Sequence, residues 1–161
     1  LKDIKNKKII FVDEYSTSGY LYPLVMLKKA GIQKNDLEIL FSKNHEASIQ
    51  MLAEKKAEVA AVFADDEKGL RGAWTKFPVK DLNLRVLKVS DPIPNDPFCV
   101  RTDFFEKYPQ ISYQLMSELI DMNQEENLQK KYSNILGAGS LNPATSKQYD
   151  PVREMIEELE K

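Results

Sequence analysis

Apolar residues in the first half of the chain fall in short runs, separated by stretches where they recur at helical spacing. Lys8 to Val12 reads as a buried strand. From Tyr20 to Ala30, Leu21, Leu24, Val25 and Leu27 return at helical intervals, and Gly31 follows as a C-terminal cap. Leu37 to Phe41 reads as a second strand. Asn44 then caps a helix running to about Lys56, with Ile49, Met51, Leu52 and Ala53 on its apolar face. Val59 to Phe63 and Leu84 to Val89 read as third and fourth strands. Strands alternating with helices predict a parallel α/β sheet joined by right-handed crossovers.

The stretch Ser90 to Pro97 breaks this pattern with Pro92, Pro94 and Pro97. Each proline fixes its own φ and pushes its predecessor towards extended backbone, which predicts a stiff connector between two parts of the molecule. Beyond it lie one short strand, Phe98 to Arg101, and then helical spacing. Ile111, Leu115, Leu119 and Met122 mark a helix from Tyr108 to Met122, and Glu125 to Ile135 continues alike until Gly137 and Gly139. Pro151 to Glu160 reads as a terminal helix with Asp150 as N-cap and proline at its first position. A lone strand satisfies neither its own backbone nor the apolar faces of several helices, so this half reads as part of a lobe whose other strands are missing.

Composition narrows the picture. A chain of 161 residues fits one ordinary domain, or two small lobes sharing strands. Charged residues reach 30% but nearly balance, leaving a formal net charge of -2 and no basic stripe, which argues against nucleic acid as a partner. Cys99 is the only cysteine, so neither an internal disulfide nor a thiolate metal site can form, and its apolar neighbours Phe98 and Val100 predict burial. No apolar run approaches the roughly 18 residues of a membrane span, and no signal peptide precedes Leu1. Two readings follow: a cytoplasmic protein, or a fragment whose targeting segment lies upstream.

The candidate chemistry sits after the strand ends. Ser16, Thr17 and Ser18, followed by Gly19, stand where the first strand gives way to a helix. Hydroxyls and amides at the positive end of a helix suit an oxyanion, although serine and threonine are also ordinary N-caps. His45, the only histidine, follows the second strand and faces the same crevice beyond the carboxyl ends. Asp65, Asp66 and Glu67 follow the third strand, as a solvated turn or as a carboxylate for a protonated ligand oxygen or an amine. Glu14, beside the hydroxyls, would repel an anion and is expected to point away. Trp74, Tyr15, Tyr20 and Tyr22 suit either a pocket wall or the core. A serine hydrolase built from Ser18, His45 and Asp66 is the remote alternative, since the flanking glycine of a nucleophile elbow is absent. No Gly-rich phosphate loop is present, and no cofactor or metal is implied.

The string Phe11-Val12-Asp13-Glu14-Tyr15-Ser16-Thr17-Ser18-Gly19-Tyr20-Leu21-Tyr22-Pro23 resembles the signature of the periplasmic phosphonate/phosphite/phosphate-binding proteins of ABC transporters. Phe41 to Ser48, Val59 to Phe63, Ser90 to Pro97 and Tyr149 to Ile156 agree in order and spacing. The resemblance implies a type II periplasmic-binding fold of class α/β that closes on its ligand and is not an enzyme. It implies one complete α/β lobe at 1–89, a hinge at 90–97, and at 98–161 the C-terminal, mostly helical part of a second lobe lacking its N-terminal half. By that resemblance Ser16, Thr17, Ser18 and His45 hold the phosphoryl oxygens, and an acidic residue after the third strand points to Asp65 or Asp66. The implied partners are a small phosphonate, phosphite or phosphate and a membrane permease, in the periplasm or anchored at the surface of a bacterium. A sensing domain of the same fold is the alternative setting. An incomplete lobe would further expose strand edges and apolar faces, and so favour self-association.

Overall fold

The structure, a computed structural model, describes residues 1–136 and 139–160. Among these, the sheet has three parallel strands, β1 (Lys8–Phe11), β2 (Glu38–Phe41) and β3 (Val59–Ala60), in the order β2-β1-β3. β1 is central. Lys8 to Phe11 pair in register with Glu38 to Phe41 on one side, and Ile9 and Ile10 pair with Val59 and Ala60 on the other. Ile9, Ile10 and Phe11 are all buried, as a continuous apolar run in a central parallel strand should be.

Helices cover the sheet as the periodicity predicts. A π-helical turn, Thr17–Leu21, runs directly into α1 (Tyr22–Lys29), with Pro23 near the junction. Gly31, at φ 80°, closes that helix in the left-handed conformation. α2 (His45–Ala53) starts from Asn44, whose side-chain oxygen accepts the Ala47 N–H at 2.8 Å. Phe11 and Tyr20 meet edge-to-face at 5.0 Å, binding the strand to the π-helical turn within a core that also holds Ile4, Ile9, Leu27, Ile32 and Ala61.

One polar pair lies inside this packing. Ser48 is fully buried, and its Oγ sits 2.7 Å from that of Ser42. Ser42 Oγ reaches the carbonyls of Phe11 and Asn44, while its N–H donates to Phe11. The Lys43 N–H donates to Val12 at 2.8 Å, with Lys43 at φ 75°. These bonds fasten the start of α2 to the carboxyl end of β1.

The chain divides into two units, residues 1–94 with the terminal helix, and Asn95–Tyr149. In the first, α7 (Asp150–Glu160) packs on α1, with Met155 buried and Lys28 Nζ donating to the Glu158 carbonyl at 2.8 Å. The short α3 (Ala73–Lys76) also belongs there. In the second, α4 (Thr102–Lys107), α5 (Pro109–Asp121) and α6 (Glu126–Leu136) follow in order. Asn123 there bridges to both the N–H and the carbonyl of Leu141, and the buried Tyr132 donates to Asn123 Oδ1. Among the described residues no helix is long and apolar enough to cross a membrane.

Several expectations are corrected. Leu84 to Val89 forms no strand; Val86 and Val89 lie against the Gly69 turn, and Leu84, Val86 and Leu87 stay exposed. Phe98 to Arg101 is likewise unpaired, and Cys99 is exposed rather than buried. Both segments have strand-like composition, but a strand also needs a neighbouring backbone. The helix expected from Tyr108 to Met122 forms as α5, and Pro109 pushes Tyr108 to φ -135° and ψ 58°, which separates it from α4 before it. Asp150 lies inside the last helix instead of capping it, its carboxylate 2.6 Å from Arg153 Nη1. That helix counts with the first unit, whereas the sequence reading grouped it with 98–161. Gly137, expected to help end α6, lies outside the described residues.

Candidate functional site

Parallel pairing brings the carboxyl ends of all three strands to one edge. β1 connects through α1 to β2 on one side, and the chain then crosses by α2 to β3 on the other. The two connections diverge beside β1, which makes its carboxyl end a topological switch point, where open α/β sheets leave a crevice. The loops after β1 and β3 and the start of α2 meet there.

The loop after β1 carries the hydroxyl run. Ser16 is its cap: Ser16 Oγ accepts the Gly19 N–H at 3.0 Å, and its carbonyl accepts the N–H groups of Tyr20 and Leu21. An accepting hydroxyl keeps its own hydrogen to donate. Among the described residues, the amides and hydroxyls of Thr17 and Ser18 have no hydrogen-bond partner. Both residues are half-buried at the N-terminus of one continuous helical stretch, Thr17–Leu21 followed by α1. These donors therefore point from the positive end of a helix dipole. Gly19 permits the arrangement: a Cβ there would lie 2.4 Å from Val12 Cγ2 and 2.8 Å from Ser16 Oγ.

His45 opens α2, half-buried. Its Nδ1 accepts the backbone N–H of Phe63 at 3.3 Å, and its ring meets the Phe63 ring edge-to-face at 4.9 Å. Burial pushes the imidazole pKa below its usual value; the Asp13 carboxylate opposes the shift and the Lys76 ammonium adds to it. A neutral imidazole accepting at Nδ1 carries its proton on Nε2, so His45 offers a further neutral donor.

The acidic run divides. Asp66 accepts from the N–H groups of Lys68, Leu70 and Arg71 at 3.0, 3.1 and 2.7 Å, and these bonds hold its carboxyl below the usual range. Its side chain builds the turn it stands in. Asp65 is exposed; its N–H donates to the Arg71 carbonyl, and among the described residues its carboxylate has no partner. Of the aromatic residues, Tyr20 is core and Tyr15 is 89% exposed. Sequence reasoning passed over Asp13, Phe63 and Lys76, which reach His45 only through the fold.

Comparisons with known proteins identify the family and the fold. The profile of the family described as "ABC transporter, phosphonate, periplasmic substrate-binding protein" matches residues 1–149. The chain is 33% identical over 106 residues to the phosphate-import protein PhnD of Mycolicibacterium smegmatis, an alignment covering 61% of this chain and 32% of that protein. It is 22% identical over 165 residues to the probable ABC transporter phosphite binding protein PhnD1 of Prochlorococcus marinus, covering 100% of this chain and 54% of that protein. The solved structure of PhnD1 from Prochlorococcus marinus in complex with methylphosphonate gives a TM-score of 0.71 at 22% identity, covering 99% of this chain and 59% of that one. That likeness shows the fold, the type II periplasmic-binding fold. The chain spans only 32% and 54% of the lengths of these curated relatives. On the family match, this chain belongs to the phosphonate periplasmic substrate-binding proteins of ABC transporters.

Proposed function

We propose that this chain forms part of the solute-binding component of an ABC importer that captures a phosphonate, phosphite or phosphate oxyanion. The observation that carries the reading is the set of unpartnered Thr17 and Ser18 donors at a helix N-terminus, beside the switch point of the sheet. Ser16 and His45 add an O–H and an N–H from neighbouring elements. Such donors are preorganised for oxyanion oxygens, and excluding water strengthens each bond. Asp65, with its free carboxylate, accepts a hydrogen bond from a protonated ligand oxygen, whereas Asp66 serves the turn.

On this reading the site binds and releases its ligand without turnover. Its partner is a membrane permease, and its setting is the periplasm or the surface of a bacterium. Two lobes joined by the hinge at 90–97 close on the ligand. Calorimetric titration of the full-length protein with methylphosphonate, phosphite and phosphate tests the reading. We expect saturable binding of at least one; no binding of any would overturn it.

A further inference from the structure

We propose that Lys76 is the charge-matching residue of this site, moving its ammonium from the faces of Phe63 and Phe77 onto the bound oxyanion and so favouring doubly over singly ionised ligands. The inference rests on the oxyanion reading above and extends it to the charge of the ligand. The Lys76 Nζ lies 5.8 Å from the ring centroids of both Phe63 and Phe77. Among the described residues it makes no ion pair with a carboxylate. Aromatic faces hold an ammonium weakly enough for a better partner to displace them.

Its placement relative to His45 is fixed through Phe63. The Phe63 N–H is on His45 Nδ1, and the Phe63 carbonyl accepts the Ala73 N–H at 3.1 Å, at the start of the helix that carries Lys76. Thr75 locks the same turn, accepting the Gly72 N–H at 3.0 Å and facing its carbonyl at 2.9 Å. The charge of Lys76 is felt at the imidazole of His45, as is that of Asp13.

The remaining donors explain why a cation is needed. Hydroxyls, amides and a neutral imidazole solvate an anion but carry no charge, while Asp13, Glu14 and Asp65 stand on the loops around them. Lys76 offers a second negative charge on the ligand a compensating cation. A lysine supplies this as a mobile point charge on a four-carbon stem.

The test is calorimetric titration of the full-length protein and its Lys76→Gln and Lys76→Arg variants at a pH of about 9, above the second ionisation of phosphate-type groups. The probes are methylphosphonate and its monomethyl ester, which carries a single charge at most. We expect Lys76→Gln to weaken methylphosphonate about fivefold at low salt, with the loss shrinking as salt is added, and Lys76→Arg to restore it. The ester should change by less than about twofold, because its single charge is met by the neutral donors. Equal losses on both probes, or none on either, would overturn the role of Lys76 while leaving the oxyanion site standing. A parent protein that binds neither probe nor inorganic phosphate would instead overturn the site reading itself.

Discussion

The Phe63 backbone N–H and the His45 Nδ1 lie 3.3 Å apart, a bond between residues 18 positions apart in sequence that decides which imidazole nitrogen carries the proton. Protonating Nδ1 would leave that N–H facing another donor. Burial holds the His45 pKa below the usual histidine value of about 6.5. Between the folded and unfolded pKa values the unfolded chain therefore binds more protons, so stability is complete above the unfolded value and falls as pH drops through that window. Denaturant unfolding from about pH 7.5 down to pH 5 should show this decline, and His45→Gln should remove its histidine part. A slope unchanged in the variant would contradict the assignment.

The three hydroxyls should separate by role. Thr17→Ala and Ser18→Ala remove unpartnered donors, so each should weaken oxyanion binding by roughly 1.5–3 kcal/mol with the melting temperature unmoved. Ser16→Ala also removes the acceptor of the Gly19 N–H, so it should lower stability by about 1 kcal/mol in addition. Calorimetry paired with thermal melts distinguishes the two patterns. If all three variants lose stability alike, the run is only a cap.

Gly19→Ala should be far more damaging than an alanine at most helix starts. The new methyl would lie 2.7 Å from Val12 Cβ as well as against Val12 Cγ2, and both sit on the strand end that carries the loop. Repacking should cost about 1–3 kcal/mol and displace the hydroxyl run, so stability and binding should fall together. Near-normal binding in this variant would mean that the loop can move without consequence.

Asp66→Asn should lower the Tm by about 2–4 °C near neutral pH, because three backbone N–H groups lose a charged acceptor. The folded pKa of Asp66 is depressed, so its contribution is present above the unfolded value and lost as pH falls through the folded one. The two proteins should therefore converge in stability in acid. Oxyanion affinity should survive the change, and a selective loss of binding would return Asp66 to the ligand.

The legible parts of the fold were those in which local pattern and tertiary demand coincide. The run Ile9-Ile10-Phe11 is strand-like and is also buried on both faces, and Asn44 caps whatever helix follows it. Leu84 to Val89 reads equally well as a strand, yet pairing depends on a second backbone that apolar composition does not report. The Ser16–Ser18 run was visible because its donors are local. The partners of His45 were not, since Phe63, Asp13 and Lys76 come together only when β3 and α3 return to β1. Asp65 and Asp66 are adjacent in sequence, and only the backbone bonds of the 66–71 turn tell them apart.

The pairing of β1 on both edges has a consequence for tolerance to change. The hydroxyl loop continues directly from β1, the start of α2 is bonded to Phe11 and Val12, and β3 aligns on Ile9 and Ile10. A slip of β1 by one residue would reverse which side chains face each layer and detach all three approaches together. Four residues, Lys8–Phe11, thus act as the datum from which every donor is measured, and drift in their alignment would abolish recognition even with Ser16, Thr17, Ser18 and His45 intact.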